Sequence, residues 1–389
     1  MDVAWIRRCP LVNVRVMFHI SDMYTPIRPH LPDQTLDAER RRGRGAATNR
    51  PGRFETYDRL VIDDGWDIAD EVSQIRTEVR LETARTLITY NKSPDLPFDR
   101  SINPYRGCEH GCVYCFARPS HAYLGLSPGL DFETRLTARP NAAEVLEREL
   151  RNPKYSVAPI AIGTNTDPYQ PIEHQHRITR ACLEVLRDYN HPVAIVTKGT
   201  GILQDLDIIA DLAARNLALV GISVTTLSPE IARKMEPRVP GPAKRLQVIR
   251  ALSEAGVPTR IMVSPVVPGL TDHEVEAILE AGRDAGARAA RWIMLRLPQE
   301  VAPLVEDWLR EHFPDRAEKV LRRLREMHGG KLYDAQWGKR MRGEGVYASM
   351  IATRFEAAVK RLGFATGSLA LRRDLFAMPP RKGDQLSLF

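Results

Sequence analysis

Cys108, Cys112 and Cys115 fall within eight residues, in the stretch Arg-Gly-Cys-Glu-His-Gly-Cys-Val-Tyr-Cys-Phe-Ala. The spacing C-x3-C-x2-C puts three thiolates on one tight loop, which suits an iron-sulfur cluster whose fourth iron has no protein ligand. An open iron is a place for chemistry. The competing donor set is a Cys3His zinc site completed by His110 or His121, since zinc accepts those ligands in a tetrahedron. Zinc sites usually pair two knuckles across a longer spacer, whereas here all three thiols share one loop. The other cysteines, Cys9 and Cys182, are isolated, which disfavours a disulfide framework. So few cysteines in a chain of 389 residues with no export signal read as a reduced, cytoplasmic protein.

Beside the cysteines lie Asn103-Pro104-Tyr105-Arg106-Gly107 and Phe116-Ala117-Arg118-Pro119, and further on comes Gly163-Thr164-Asn165-Thr166-Asp167-Pro168-Tyr169-Gln170-Pro171. In its cysteine spacing the chain resembles the radical S-adenosylmethionine (radical SAM) superfamily. With the flanking motifs, from about Thr86 to Gly363, it is similar to the family related to spore photoproduct lyase and often labelled DNA-repair photolyase-like. The resemblance implies a 4Fe-4S cluster on Cys108, Cys112 and Cys115 whose free iron is chelated by SAM. It implies reductive cleavage of SAM to methionine and a 5'-deoxyadenosyl radical, with the cofactor carrying the hard chemistry, and an electron donor such as flavodoxin or ferredoxin. It also implies lyase-like or other radical chemistry on damaged or modified DNA. The alternatives are a radical SAM enzyme modifying RNA or protein, or a clamp-associated metal-binding module without turnover. Spore photoproduct lyase uses a cysteine late in its chain to return a hydrogen, and this chain has none after Cys182. That role then falls to a tyrosine such as Tyr333 or Tyr347, or to direct regeneration of SAM.

The elements that must position these groups are legible as apolar runs. Strands are expected at Pro159 to Gly163, Pro192 to Thr197, Ala218 to Thr225, Thr259 to Val266 and Ala290 to Leu295, each short, rich in Val, Ile or Leu and closed by a turn residue. Helices are expected near Glu173 to Tyr189, Ile202 to Arg215, Pro242 to Ala255 and Asp272 to Ala285. This alternation implies an α/β fold with a parallel sheet and helices outside. With a first strand near Ser101 to Tyr105, the count suits the partial (β/α)6 TIM-type barrel of the radical SAM core, an open α/β sheet being the alternative.

Parallel barrels gather their sites at the carboxyl ends of the strands. There the superfamily resemblance puts groups for the SAM amino end on Thr164, Asn165, Thr166 and Asp167, and a cation for the SAM carboxylate on Lys198. Ser223 and Thr225 offer hydroxyls to the ribose or carboxylate; Val263, Ser264, Pro265 and Tyr114 offer packing against adenine. Ser, Thr and Asp also favour such turns for purely local reasons. Arg233, Lys234, Glu236 and Arg238 either include a SAM carboxylate partner or form a surface charge cluster. Thr197-Lys198-Gly199-Thr200-Gly201 lacks the full phosphate-loop spacing, and His174 and His176 do not share a helix face, so neither is read as a site.

The formal net charge of +7 favours an anionic partner, with DNA the leading nucleic acid. No apolar run approaches the roughly 18 residues that span a bilayer. Residues 1–55 read as a poorly ordered basic segment, because Asp37 to Arg53 has almost nothing apolar to bury, and Met17 or Met23 is an alternative start. Residues 86–300 read as the core barrel, 301–378 as a helical extension and 379–389 as a flexible tail. Between Lys331 and Arg342, Tyr333 and Trp337 are interleaved with basic residues, suiting either a nucleic-acid groove or a lid on the open side of the barrel. The tail, Gln385-Leu386-Ser387-Leu388-Phe389, resembles the pentapeptide by which bacterial polymerases and repair proteins dock on the sliding clamp. Two leucines and a terminal phenylalanine are good anchors for an apolar pocket.

Overall fold

The computed structural model describes residues 41–55, 75–367 and 369–380, which fall in the compact unit 34–389. Six parallel strands carry the architecture: β1 (Arg100–Ile102), β2 (Ile160–Ile162), β3 (Val193–Thr197), β4 (Ala218–Ser223), β5 (Thr259–Val266) and β6 (Ala289–Met294). They lie side by side in chain order, with the short strand Thr89–Tyr90 paired antiparallel to β1 at one edge. The helices α1 (Ala142–Leu150), α2 (Ile178–Asp188), α3 (Leu206–Ala214), α4 (Pro242–Glu254) and α5 (Val275–Asp284) connect successive strands. Such crossovers are what parallel pairing requires. The expected α/β partial barrel is therefore present, because its strands are β-branched runs buried on the helix-facing side, as in Val193, Ile195 and Thr197 of β3.

One expected helix is broken. Glu173–His176 ends at Arg177, whose φ of 50° turns the chain before α2 begins. The cause is Glu173 itself, whose carboxylate accepts from the backbone N–H of Thr179 at 3.0 Å and of Arg180 at 3.3 Å. It thereby satisfies amides that open α2 and have no helical partner.

After β6 come α6 (Val301–His312), α7 (Pro314–Met327) and α8 (Gly345–Arg361). The segment between α7 and α8 reaches both edges of the open barrel. Met294 of β6 donates its N–H to the Met341 carbonyl at 2.8 Å, while Arg340 pairs with Asp95 at 2.6 Å beyond the opposite edge strand. Gly338 N–H also reaches Asp95, at 2.8 Å. The Lys331 to Arg342 stretch is thus a strap across the barrel's open side, with the Trp337 ring exposed.

Within the basic segment 1–55, residues 41–55 lie against the barrel. The Glu133 carboxylate accepts from Gly45 N–H and Ala46 N–H, each at 2.9 Å, and pairs with Arg118, both side chains being fully buried. Arg44 donates to the carbonyls of Ile75 at 2.8 Å and Glu133 at 3.1 Å. A Cβ at Gly45 would lie 1.8 Å from the Gly111 carbonyl oxygen, so only glycine lets the two backbones approach this closely. The segment is held by polar bonds rather than apolar burial, and a composition argument looks only for the latter. Residues 1–40 and the 385–389 pentapeptide lie outside the described residues.

Replacing Glu133 with Gln strands a buried guanidinium and should lower unfolding stability by about 3–5 kcal/mol. Denaturant titration of the anaerobic protein measures it. A loss below about 1 kcal/mol, the level of an exposed pair, would show that Arg118 finds another partner.

Candidate functional site

The cysteine loop leaves the short strand Tyr105–Arg106 through Gly107, whose φ of 74° and crowded surroundings admit no side chain: a Cβ would sit 2.7 Å from Leu136 and 2.9 Å from the Phe132 carbonyl. Cys108 N–H donates to that carbonyl at 2.9 Å, and Cys115 N–H closes a turn on the Cys112 carbonyl at 3.2 Å. From beneath, Arg118 donates Nε to the Cys112 carbonyl at 3.0 Å and Nη1 to the Gly129 carbonyl at 2.8 Å. Gln170 clasps the loop from the β2 side, accepting from Glu109 N–H at 2.9 Å and donating to the Gly107 carbonyl at 3.3 Å. Backbone bonds from three directions therefore fix where the thiols point.

All three cysteines open into one cavity at the carboxyl ends of the strands. Cys108 and Cys112 are buried and Cys115 partly so. Burial pushes the Cys112 thiol up to about 12, so a metal must displace its proton to bind. The donors offered are three thiols of one loop, a set that suits an iron-sulfur cluster with one iron left open. Of the two imidazoles considered for zinc, His110 lines the cavity and faces Asp167 at 3.4 Å, whereas His121 meets the Arg135 carbonyl at 3.0 Å and does not line it.

The strand ends bring Thr164, Asn165, Thr166 and Asp167 to this cavity, together with Lys198, Ser223, Ser264, Pro265 and Tyr114. Their surroundings separate them. The Asp167 carboxylate accepts from Thr197 Oγ1 at 2.6 Å, Lys198 N–H at 2.8 Å and Tyr169 N–H at 2.9 Å. Burial raises its pKa, but the His110 imidazole and these donors outweigh burial and hold it at about 2. Asp167 is a bracket between strand ends, with little left for a ligand. Thr166 similarly donates to the Tyr105 carbonyl at 3.3 Å, whereas the Asn165 side chain is exposed.

Lys198 is the cation of the cavity wall. Its Nζ lies 5.8 Å from the centre of the Tyr114 ring and makes no ion pair among the described residues. Burial opposes its charge, yet the Cys112 sulfur, Glu236 and Asp167 raise its pKa on balance. Tyr114 is held by donation from its Oη to buried Glu236, which pairs with Arg245, and Arg245 in turn donates to the Ser223 carbonyl at 3.0 Å. Of the charged cluster 233–238, Glu236 thus reaches the site through Tyr114, while Arg233 is exposed, Lys234 pairs with Glu230 at 2.8 Å and Arg238 pairs with Glu109 at 2.9 Å.

Thr225 and Val263 do not line the cavity. Val263 alternates with Met262 and Ser264 and faces the helices at 1% exposure; Thr225 lies past the end of β4, equally buried, beside Thr226, whose Oγ1 donates to Glu274 at 2.6 Å. Tyr347 is also remote, donating to Asp272 beneath the Arg323 guanidinium. Tyr333 stands at the rim, its Oη 3.4 Å from Arg296 Nη2. Arg296 and Phe116, both missed in the sequence, do line the cavity, the guanidinium 4.8 Å from the Phe116 ring centre. The available signal was position: Arg296 immediately follows the sixth apolar run, and Phe116 follows the third cysteine.

Residues 102–282 match the family model described as the radical SAM superfamily. The chain is 37% identical over 243 residues to an uncharacterized protein of Mycobacterium tuberculosis, covering 61% of this chain and 70% of that one. It is 25% identical over 173 residues to an uncharacterized protein of Methanocaldococcus jannaschii, covering 44% and 62% respectively. Among solved structures it is similar in fold to a spore photoproduct lyase mutant with bound AdoMet and dinucleoside spore photoproduct, with a TM-score of 0.51 and 15% identity over 73% of this chain and 78% of that one. With its parallel partial barrel and a three-thiol loop at the strand ends, the chain belongs to the radical SAM superfamily and is an enzyme whose cofactors are a 4Fe-4S cluster and S-adenosylmethionine.

Proposed function

We propose that Cys108, Cys112 and Cys115 hold the cluster, that SAM lies across the same cavity with its carboxylate on Lys198, and that the substrate is damaged or modified DNA. The carrying observation is a protonated lysine without an ion pair, set in the wall of a cavity lined by three thiols. When bound, the cluster and SAM supply one-electron reductive cleavage and hydrogen abstraction. The chain's residues bind and orient: Asn165 and Thr164 are within reach of the amino end, Ser223 and Ser264 of the ribose, and Tyr114 and Pro265 of the adenine. Tyr333 is better placed than Tyr347 to return a hydrogen, because it meets Arg296 at the cavity rim.

DNA is supported by the net charge of +7 and by cations set against rings at the mouth, Arg296 beside Phe116 and Tyr333. A cytoplasmic setting, a flavodoxin- or ferredoxin-like donor and docking of Gln385 to Phe389 on a sliding clamp belong to the same reading. Dependence of 5'-deoxyadenosine formation on DNA, RNA or neither separates the substrate classes, and no 5'-deoxyadenosine under reduction would leave a binding module.

Anaerobic reconstitution should load about four irons per chain. Cys108→Ala, Cys112→Ala or Cys115→Ala should each abolish the brown absorbance, while Cys182→Ala, in the apolar core, should keep it. Stoichiometric zinc without sulfide would refute the cluster assignment.

Lys198→Ala should leave iron content unchanged and raise the SAM concentration for half-maximal cleavage at least tenfold, as loss of a charge-assisted bond of about 1.5–3 kcal/mol requires. Unchanged SAM dependence removes Lys198 from the carboxylate.

A peptide of the last ten or so residues should bind a bacterial sliding clamp with micromolar affinity, since a short unstructured segment must be ordered on binding. Deleting Leu388 and Phe389 should weaken binding more than Gln385→Ala, and cluster loading should survive both. Equal binding by full-length and truncated chains would discard the tail as a ligand.

A further inference from the structure

The lumen face of the sheet carries two arginines that the SAM site does not use. On β3 and β5 the positions packed against the helices are buried, while the alternate ones, Ala194 and Val196 on β3 and Arg260, Met262 and Ser264 on β5, are only partly so and face the lumen. Arg260 lies four residues before Ser264 on β5, and Arg291 lies on the adjacent strand β6, where Ala289 is opposite Arg260 and Arg291 is opposite Met262. Both guanidiniums therefore project from the lumen face of neighbouring strands. On its other side Arg260 is opposite Gly221 of β4, which has no side chain and leaves the space beside the guanidinium to Met262.

Neither side chain makes a hydrogen bond or ion pair among the described residues, and Arg260 Nε is shielded from water without a partner. A half-buried cation in that condition is costly, and a second like charge beside it adds to the cost. Burial first, and then Arg291, pull the Arg260 pKa down to about 10, still far above neutrality, so the charge remains and calls for an anion. Guanidinium forks match the oxygens of a tetrahedral oxoanion, and two forks from adjacent strands offer more donors than one carboxylate accepts well.

We propose that Arg260 and Arg291 form a phosphate-binding site in the barrel lumen. From the strand rise, Arg260 is rooted about 13 Å and Arg291, opposite Met262, about 7 Å below the level of Ser264, so the pair is available to a ligand that extends down the lumen from the cysteine cavity. Contacts so far from the chemistry supply binding energy that orients the reacting part. The site takes either free phosphate or a phosphodiester, and only the second source rests on the nucleic-acid reading above.

The test uses reconstituted full-length protein under anaerobic conditions. Thermal unfolding is followed in inorganic phosphate and in chloride of matched ionic strength, for wild type and for the Arg260→Gln/Arg291→Gln double variant. Phosphate should raise the wild-type midpoint and leave the variant unmoved, as binding to the folded state alone requires. In chloride the variant should be at least as stable as wild type, because it removes two unpaired like charges. An equal phosphate response in both proteins, or a variant destabilised in both salts, overturns the site. In a second arm, a short single-stranded oligonucleotide is compared with its uncharged methylphosphonate analogue. Tenfold tighter binding of the charged form by wild type alone assigns the phosphate to a phosphodiester. A phosphate response without that preference keeps the site, assigns it to free phosphate, and counts against the nucleic-acid substrate.

Discussion

Arg118 and Glu133 are both removed from water, and the cysteine loop is shaped by the need to satisfy them. Desolvating two charges costs several kcal/mol per ion, which mutual attraction offsets only when every remaining donor and acceptor is used. Here the guanidinium reaches the carbonyls of Cys112, Pro128 and Gly129, and the carboxylate takes the amides of Gly45 and Ala46. An apolar pair of the same volume would fill the space but would leave those backbone groups without partners. The pair is thus better understood as fixing loop geometry than as adding stability. Three thiols presented on a loop without regular secondary structure need such a device.

A second buried charge continues the same logic upward. Asp167 joins the end of β2 to the end of β3 and, through His110, to the cysteine loop. The strand ends and the loop are consequently one polar unit, and Lys198, whose backbone N–H is one of Asp167's donors, has its side chain aimed from a fixed root. Tyr114, Glu236 and Arg245 perform the equivalent task on the β4 side. The ammonium is the part of this assembly left without an ion pair among the described residues, and it faces the cysteine cavity.

Six strands and the outer helices were legible because Val, Ile and Leu in short runs can be buried in few other ways. The same periodicity did not show the break at Arg177, which depends on the Glu173 side chain folding back on the next helix. Nor could it place Val263, one residue out of phase with the lumen. The strap 331–342 was legible in composition but its role was not, since Arg340 finds Asp95 only once the two sheet edges are brought near each other. The contacts of residues 41–55 were not legible because low apolar content argues against burial only when no buried carboxylate is waiting for the amides.

Six strands rather than eight leave the lumen open on one side, and this openness distinguishes the molecule's two cationic regions. At the top, the strap, Arg296 and Tyr333 stand around a cavity whose wall is already crowded with thiols and strand-end polar groups. Lower down, Arg260 is beside Gly221 of β4, whose missing side chain leaves room that Met262 takes, and beside Ala289 of β6. A closed barrel fills that space with interdigitated side chains. A partial barrel need not, and a cation there without a carboxylate is tolerable only where solvent or a ligand anion has access. Exposed Arg291 beside half-buried Arg260 meets that condition, so the same incompleteness that opens the mouth also lets solvent reach a cationic stretch of the lumen face.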